Sequence, residues 1–408
     1  MALFFIPQVK PLAYTYGMNV AIIGASSAGL YTAIFLKKAH PDYRVEVFDK
    51  NEKIGRKLAA TGNGRCNLLN LSTGPEDFNY PLYMEPLLKE YPYTVLKKAL
   101  GSLGVQLVSD GVYVYPATMN ANSYVKYLSD LANSLGIVFH LKTKVLDYEG
   151  GAPWTLLCGN ETFKADALVF APGGMSSPNL GSDGSLFTTF FRHGYNIIPL
   201  KPSLCPIATK EKTKSLLGLR HAAKVTVTAD GRLVHEEEGE VLFKEDGLSG
   251  IVIFNCESFI CRLIGTPEVS LWLDLFPAIH LADLTESLVS SAALNPTFFL
   301  DAYLQAPLRD YVLKAAGVSL SKALSKSDLF KIAKAMKGLE FHFDHAYDFA
   351  SSQVTAGGVD LNDIDGMMKS KLEKNVSFVG EALDVDGLCG GYNLTWCLIS
   401  SLLAVKGL

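Results

Sequence analysis

The chain of 408 residues is 49% hydrophobic and 19% charged, which excludes a disordered polymer, and it is too long for one ordinary core, so two or three domains are expected. A formal net charge of −4 speaks against a protein built to coat nucleic acid or an anionic membrane, and leaves room only for a local basic patch. The seven cysteines are scattered and form no C-x-x-C pair, the usage of a reducing cytoplasm without a structural metal.

Residues 1–17 carry an apolar patch, Leu3 to Pro7, with no basic residue before it and too little apolar length for export. They read as a loose extension or a start-site artefact ahead of Met18. Asn19-Val-Ala-Ile-Ile-Gly24 is a continuously apolar strand, as in a parallel sheet covered on both faces. Gly24 to Gly29 turns the chain into a helix, Leu30 to Ala39, and Arg44 to Asp49 is the next strand, completing a βαβ unit. A helix-rich stretch, Leu82 to Leu103, precedes strand-like runs at Val105–Ser109 and Gly111–Tyr115. A helix over Asn122–Leu135 then leads into a strand from Ile137. Alternating runs near Trp154 and Phe163 predict a small antiparallel meander, and Ala167–Ala171 is another buried strand, ending in Pro172-Gly173-Gly174.

From about Ile197 the character changes. Val225–Val227, Arg232–Val234, Ile251–Phe254 and Val269–Leu273 are short strand-like runs of a small β-domain, with Glu236–Glu240 as a solvated turn between strands. Leu281–Met336 is helical in pattern, an insert, and a strand signal returns at Leu339–Phe343. Val376–Gly380 is a buried strand that completes the nucleotide domain, and Leu394–Val405 is a buried helix, too short for the roughly 18–20 apolar residues of a membrane span.

Three segments carry chemistry. In a dinucleotide fingerprint the glycines permit the tight turn, the close approach of pyrophosphate and the packing of helix on strand. Here Gly24 and Gly29 keep the first and third roles, while Ser26 replaces the second and offers its amide and hydroxyl at a helix N-terminus, with Ser27 and Ala28 beside it. Asp49, ending the second strand, suits ribose hydroxyls. Lys53 to Asn67 is glycine-rich and basic, with Gly62 and Gly64 allowing backbone close to a cofactor and Lys53, Arg56, Lys57 and Arg65 supplying positive charge. At the far end, Gly380-Glu-Ala-Leu-Asp384 follows a strand, and Gly390-Gly391-Tyr392-Asn393 precedes a helix starting near Leu394, with Asn393 as N-cap. Reduction puts negative charge on the pyrimidine side of a flavin, where a helix N-terminus supplies free N–H groups.

Together with Gly173 to Pro178, Gly239 to Phe243, Gly247 to Gly250 and Thr355 to Val359, these blocks run in order over residues 18–408 and resemble the BaiN/RdsA family of FAD-dependent oxidoreductases. The resemblance implies an α/β fold, a Rossmann-like FAD-binding domain (18–195 and 346–408) interrupted by a β-barrel-like domain (196–278 and 337–345) and a helical insert (279–336). It implies FAD as cofactor, with NADH or NADPH as reductant, and reduction of an activated C=C bond of a small molecule as the leading chemistry. Amine oxidation with oxygen, reduction of uridine in ribosomal RNA, and flavin binding without turnover are the alternatives. Gly24, Ser26, Ser27, Ala28 and Gly29 would hold the pyrophosphate, Asp49 and Lys50 the adenosine ribose, and Val145 the adenine edge. Arg56, Lys57, Thr61, Gly62, Asn63, Gly64, Arg65 and Asn67 would wrap the flavin side. Ala171, Gly173, Gly174, Gly380, Glu381, Asp384, Gly391, Asn393 and Leu394 would complete the contacts. Three departures stand out: Ala25-Ser26-Ser27 in the first turn, Ala171-Pro172 before Gly173, and Lys244-Glu245 where relatives carry Thr-His.

For the proton that accompanies hydride transfer the sequence offers Cys66, Cys389 and Tyr392, with Glu381 and His345 as further candidates. A cysteine among glycines near an arginine can have a lowered pKa, though a small residue filling a tight turn is the simpler reading. His342 and His345, three apart, read as structural. The lysines at 322, 326, 331, 334 and 337 read as a solvated helix face, with a phosphate-reading stripe as the alternative.

Overall fold

The computed structural model describes residues 17–265, 267–320 and 324–408. Its centre is a five-stranded parallel sheet in the order Val376–Phe378, Ala167–Phe170, β1 (Asn19–Ile23), β2 (Arg44–Asp49) and Val138–Leu141. β1 and Ala167–Phe170 are buried along nearly their whole length, because helices cover one face of the sheet and the meander Asp147–Gly150, Trp154–Cys158, Glu161–Ala165 lies near the other. α1 (Ser27–Ala39) follows β1 and packs along the last helix, Tyr392–Gly407. The Ser401 hydroxyl donates to the Ala28 carbonyl at 2.9 Å, and Leu408 reaches Tyr43 beyond the far end of α1. The two helices therefore run in the same direction and open toward the same side of the sheet.

An antiparallel pair, Ile197–Ser203 with Val354–Val359, leads into a closed six-stranded barrel of Ile207–Thr209, Gly247–Ser249, Arg232–Phe243, Arg220–Ala229, Val269–Asp274 and Leu339–Ala346. Closure removes the unpaired strand edges that an open sheet would expose. Helices Leu281–Leu294, Ala306–Ala316 and Lys326–Lys337 bury Leu288, Val312, Ile332 and Met336 in the core that also holds Leu271 and Phe341 of the barrel. A second core, without these residues, lies around the parallel sheet. The architecture is thus the Rossmann-like α/β fold with a barrel and a helical insert.

Two local expectations are corrected. Ile251–Phe254 is the start of a helix, Ile251–Ile260, with Val252, Ile253, Cys256 and Glu257 all buried; an apolar run surrounded by protein has no period to separate strand from helix. Glu236–Glu240 is the middle of the barrel strand Arg232–Phe243, where alternate glutamates face Lys224 and Arg220 on the neighbouring strand and Glu237 turns to Asn255. No described helix is long and apolar enough to cross a membrane. Residues 1–16 and Lys322 lie outside the described residues.

A Cβ on Gly29 would sit 1.8 Å from the Gly24 carbonyl oxygen, so Gly29→Ala must push α1 off β1. Overpacking of this kind costs about 1–3 kcal/mol. The urea midpoint of Gly29→Ala is expected to fall with an unchanged slope; an unaltered midpoint would refute the close packing.

Candidate functional site

The first part of the site is the turn between β1 and α1. Gly24 has φ +114 and donates to the Phe48 carbonyl at 2.8 Å, which aligns the turn with the end of β2. Ser26 is the N-cap of α1 with extended backbone and no side-chain cap, and no acidic residue stands in the first turn. The opening amides of α1 lack helical partners and carry the positive end of the helix dipole, a ready site for phosphate.

Asp49 accepts from the Ala25 amide through Oδ2 (2.8 Å) and from the amide (2.8 Å) and side chain (2.9 Å) of Asn51 through Oδ1. It therefore builds the turn first, and keeps one lone-pair position on Oδ2 for a hydroxyl donor. Gly24, Asp49, Lys50, Val145, Gly173 and Gly174 line one pocket. The sequence reading missed its other wall, Gly181 and residues 183–187, although the glycines flanking Asp183 were a turn signal. Lys50 meets the Asp183 carboxylate at 2.5 Å, and Lys144 approaches at 3.6 Å. Burial opposes ionisation of Asp183, but Lys50 and the Ser185 amide outweigh it and hold the carboxyl well below its ordinary value. Lys50 is thus engaged with Asp183 rather than free toward a ribose.

Residues 56–67 form the second part. Arg56 donates to the Asn51 side chain and the Asn179 carbonyl, both at 2.9 Å, joining the block to the pocket rim. Lys57 bonds Glu381 at 2.7 Å, and the other oxygen of Glu381 accepts from the Thr355 amide at 2.9 Å. Thr61 is pinned to the Leu58 carbonyl at 2.7 Å. Gly62, Asn63, Gly64 and Cys66 all have positive φ, and beside the ideal Cβ position of Gly64 there is open space. Arg65 turns the other way, over the Tyr115 ring at 4.9 Å and toward Asp110 at 3.6 Å. Asn67 Oδ1 is buried without a hydrogen-bond partner.

The third part comes from the far end of the chain. Gly380 has φ +66, and a Cβ there would lie 2.8 Å from Ala28 Cβ, so the two glycine-rich turns touch through a glycine. Its amide donates to Ser400 Oγ and its carbonyl accepts from Trp396 Nε1, each at 3.0 Å. The N-cap of the last helix is Gly391, with φ +96, and Asn393 lies inside the first turn. The Asn393 side chain instead grips Gly387, accepting from its amide (2.9 Å) and donating to its carbonyl (2.7 Å). That corrects the capping role read from the sequence. Leu394 follows it in the same turn, and Ala171 is held by its amide to the Ile23 carbonyl at 2.8 Å. Asp384, buried, accepts from Tyr80 (2.6 Å) and the Gly357 amide (3.0 Å).

A profile of the family described as the HI0933-like protein Rossmann domain matches residues 18–407. The chain belongs to that family. It is one of flavin-dependent oxidoreductases. The chain is 27% identical to the 3-dehydro-bile acid delta(4,6)-reductase of Clostridium scindens, over 95% of this chain and 98% of that protein. To the ribosomal RNA dihydrouridine synthase of Haemophilus influenzae it is 26% identical, over 95% and 97%. Among solved structures it shares its fold with a 3-ketosteroid delta1-dehydrogenase from Sterolibacterium denitrificans, at TM-score 0.53 and 10% identity, over 96% of this chain and 99% of that one.

Of the candidate proton carriers, Cys66, Cys389 and Tyr392 are all raised above their ordinary values. Cys66 is fully buried, and burial pushes its thiol up to about 12. The lowered value that the basic loop suggested is not realised, because Arg65 faces away. Cys389 is pushed up to about 12 for the same reason, with its amide fixed to Asn255 Oδ1 at 2.9 Å. Burial, with the nearby Asp77 carboxylate, raises the Tyr392 phenol, which accepts from Asn70 at 3.2 Å. His345 stands at the surface beside Asp344, and His342 is held by Glu211 at 2.6 Å. Of the insert lysines, Lys337 is bound by Asp274 at 2.6 Å, and Lys331 approaches Asp328 at 3.8 Å.

Two outcomes are expected. Iodoacetamide at pH 8 leaves Cys66 unmodified in the native protein and labels it after unfolding; native-state labelling would refute its burial. Glu381→Ala strands Lys57 and the Thr355 amide and lowers stability by about 1–3 kcal/mol, whereas Glu381→Gln, which still accepts from Thr355, loses less in urea denaturation.

Proposed function

We propose that the protein binds FAD across these three parts and uses the reduced flavin to saturate an activated C=C bond, with NADH or NADPH as electron donor. The observation that carries the reading is the pair of same-direction helices, α1 and Tyr392–Gly407, joined where Gly380 meets Ala28. Their N-termini give one ligand two separate anion-stabilising ends, which fits a pyrophosphate at one and an electron-rich pyrimidine ring at the other. The unpartnered Asn67 Oδ1, buried beside Gly391, fits an N–H donor of the kind the flavin pyrimidine carries.

In this reading the Ser26–Gly29 amides take the pyrophosphate, Asp49 Oδ2 a ribose hydroxyl, and the Val145 backbone the adenine edge. Gly173 and Gly174 allow close approach, and the 61–67 turn with the 391–394 amides frames the ring. Bound there, FAD supplies hydride chemistry at the ring. The chain's part is to orient that ring and to exclude water with segments 196–278, 279–336 and 337–345 over the FAD-holding segments 18–195 and 346–408. The choice of C=C reduction rests on the relatives: the delta(4,6)-reductase and the dihydrouridine synthase both bear names for adding two hydrogens across a C=C bond.

The test is anaerobic. NADH or NADPH is expected to bleach the bound flavin, and an enone to restore its colour. Reoxidation only by oxygen after an amine substrate would favour an oxidase, and reoxidation only by ribosomal RNA would favour an RNA-modifying enzyme. No bleaching by any donor would leave flavin binding alone. Gly24→Val, which places a side chain against the Ala171 carbonyl, is expected to purify without flavin.

A further inference from the structure

Glu257, on the helix Ile251–Ile260, is wholly buried, and no donor meets either carboxylate oxygen in good hydrogen-bond geometry, although the amides of Leu204 and Cys205 approach it. A glutamate this deep is almost always paired. Arg262, just past the end of the same helix, reaches across to the glycine-rich loop, pairing with buried Asp386 and donating to the Ser258 carbonyl at 2.7 Å. The same guanidinium acts on Asp384 and Glu257. Three buried carboxyls, one from the helix and two from the loop, thus share the field of a single cation, which contacts Asp386 directly.

The other groups facing the cluster do not balance it. On the Glu257 side stand the thiols of Cys205 and Cys261, both raised by burial, and nearby Ser203 has a buried hydroxyl without a partner. The amides of Leu204 and Cys205 favour its ionised form. Lys201, exposed, is tied to the Cys261 carbonyl at 2.6 Å. On the loop side Asp384 accepts from Tyr80, the Asp360 charge adds to the negative field, and Glu381 is already matched by Lys57. With all three carboxyls ionised, the interior would hold two uncompensated negative charges, which burial forbids. Burial outweighs Arg262 and pushes Glu257 up to about 8 and Asp386 up to about 7.

We propose that Glu257, Asp384 and Asp386 around Arg262 form a redox-linked proton site, which holds one proton in neutral solution and, once emptied in alkaline solution, takes it back when the flavin is reduced. The proposal rests on reading Gly380–Asn393 as the flavin loop. Reduction of the flavin by two electrons and one solvent proton leaves one negative charge on the ring. Beside an emptied site, that charge draws a second solvent proton onto the carboxyls, so two electrons then bring two protons.

Infrared spectroscopy of the holoenzyme reads the stored proton. A carbonyl band of a dry, protonated carboxyl is expected at neutral pH, bleaching as pH rises and missing in Glu257→Gln or, if that variant does not fold, weakened in Asp386→Asn. Absence of the band in the wild type, or its persistence in both variants, overturns the site. Dye-equilibrated titration of bound FAD reads the linkage: in alkaline solution the potential of the wild type falls with pH at two protons per electron pair, and that of Glu257→Gln at one. A wild-type slope of one proton throughout overturns it. Loss of FAD binding would sink the linkage together with the flavin reading, whereas a missing carboxyl band with FAD bound sinks the proton site alone. The sign of the stability effect is fixed too. Folded Glu257 keeps its proton up to about pH 8, above the ordinary carboxylate range, so wild-type stability falls as pH rises through that window. Thermal denaturation of Glu257→Gln is expected to show a smaller fall, with only the part due to Asp386 remaining.

Discussion

The carboxylate of Glu381 accepts from Lys57 with one oxygen and from the Thr355 amide with the other, and the Thr355 hydroxyl accepts in turn from the amides of Met175 (2.7 Å) and Ser176 (3.0 Å). Four segments that are far apart in the chain meet at that one group. They meet at the carboxyl ends of the parallel strands, where the chain leaves the sheet and backbone groups are free to face a ligand. The half-buried Lys57–Glu381 pair is screened less than a surface pair, so it fixes the distance between the 56–67 block and the Gly380 turn. Gly380 against Ala28 then fixes the distance between the two helix N-termini. The remaining contacts of the candidate site are arranged on this frame.

The parallel sheet was legible because its inner strands, β1 and Ala167–Phe170, are buried on both faces and read as unbroken apolar runs. β2 begins and ends where Arg44 and Asp49 suggested. The barrel was less legible. Its longest strand carries glutamates that look like a turn, and its partly apolar helix looks like a strand, since what decides both is the neighbouring element and not the local pattern. At the site, glycine spacing revealed where the backbone must come close, whereas side-chain roles were hidden. Lys50 pairs with Asp183, Asn393 braces Gly387, and Arg65 lies on Tyr115. Each depends on a partner that only folding brings near.

The departures from the family pattern fall into place differently. Ser26 keeps a free N-cap at α1, so in the proposed reading its opening amides still offer a phosphate site without the middle glycine. Lys244, by contrast, lies over the Tyr347 ring at 4.5 Å, and Tyr347 bonds Asp246. That segment is a braced cation–aromatic corner. The proposed proton site lies in the buried carboxyls behind the glycine-rich loop, and the loop itself is held from the barrel side by Asn255 and Arg262.

The central claim is that segments at 24–29, 56–67 and 380–394 hold one flavin between them. A crystal structure of the protein with FAD tests it directly. The pyrophosphate is expected over the Ser26–Gly29 amides, with the isoalloxazine ring between the 61–67 turn and the start of the last helix. A flavin bound elsewhere, or a ring turned away from Gly391, would contradict it.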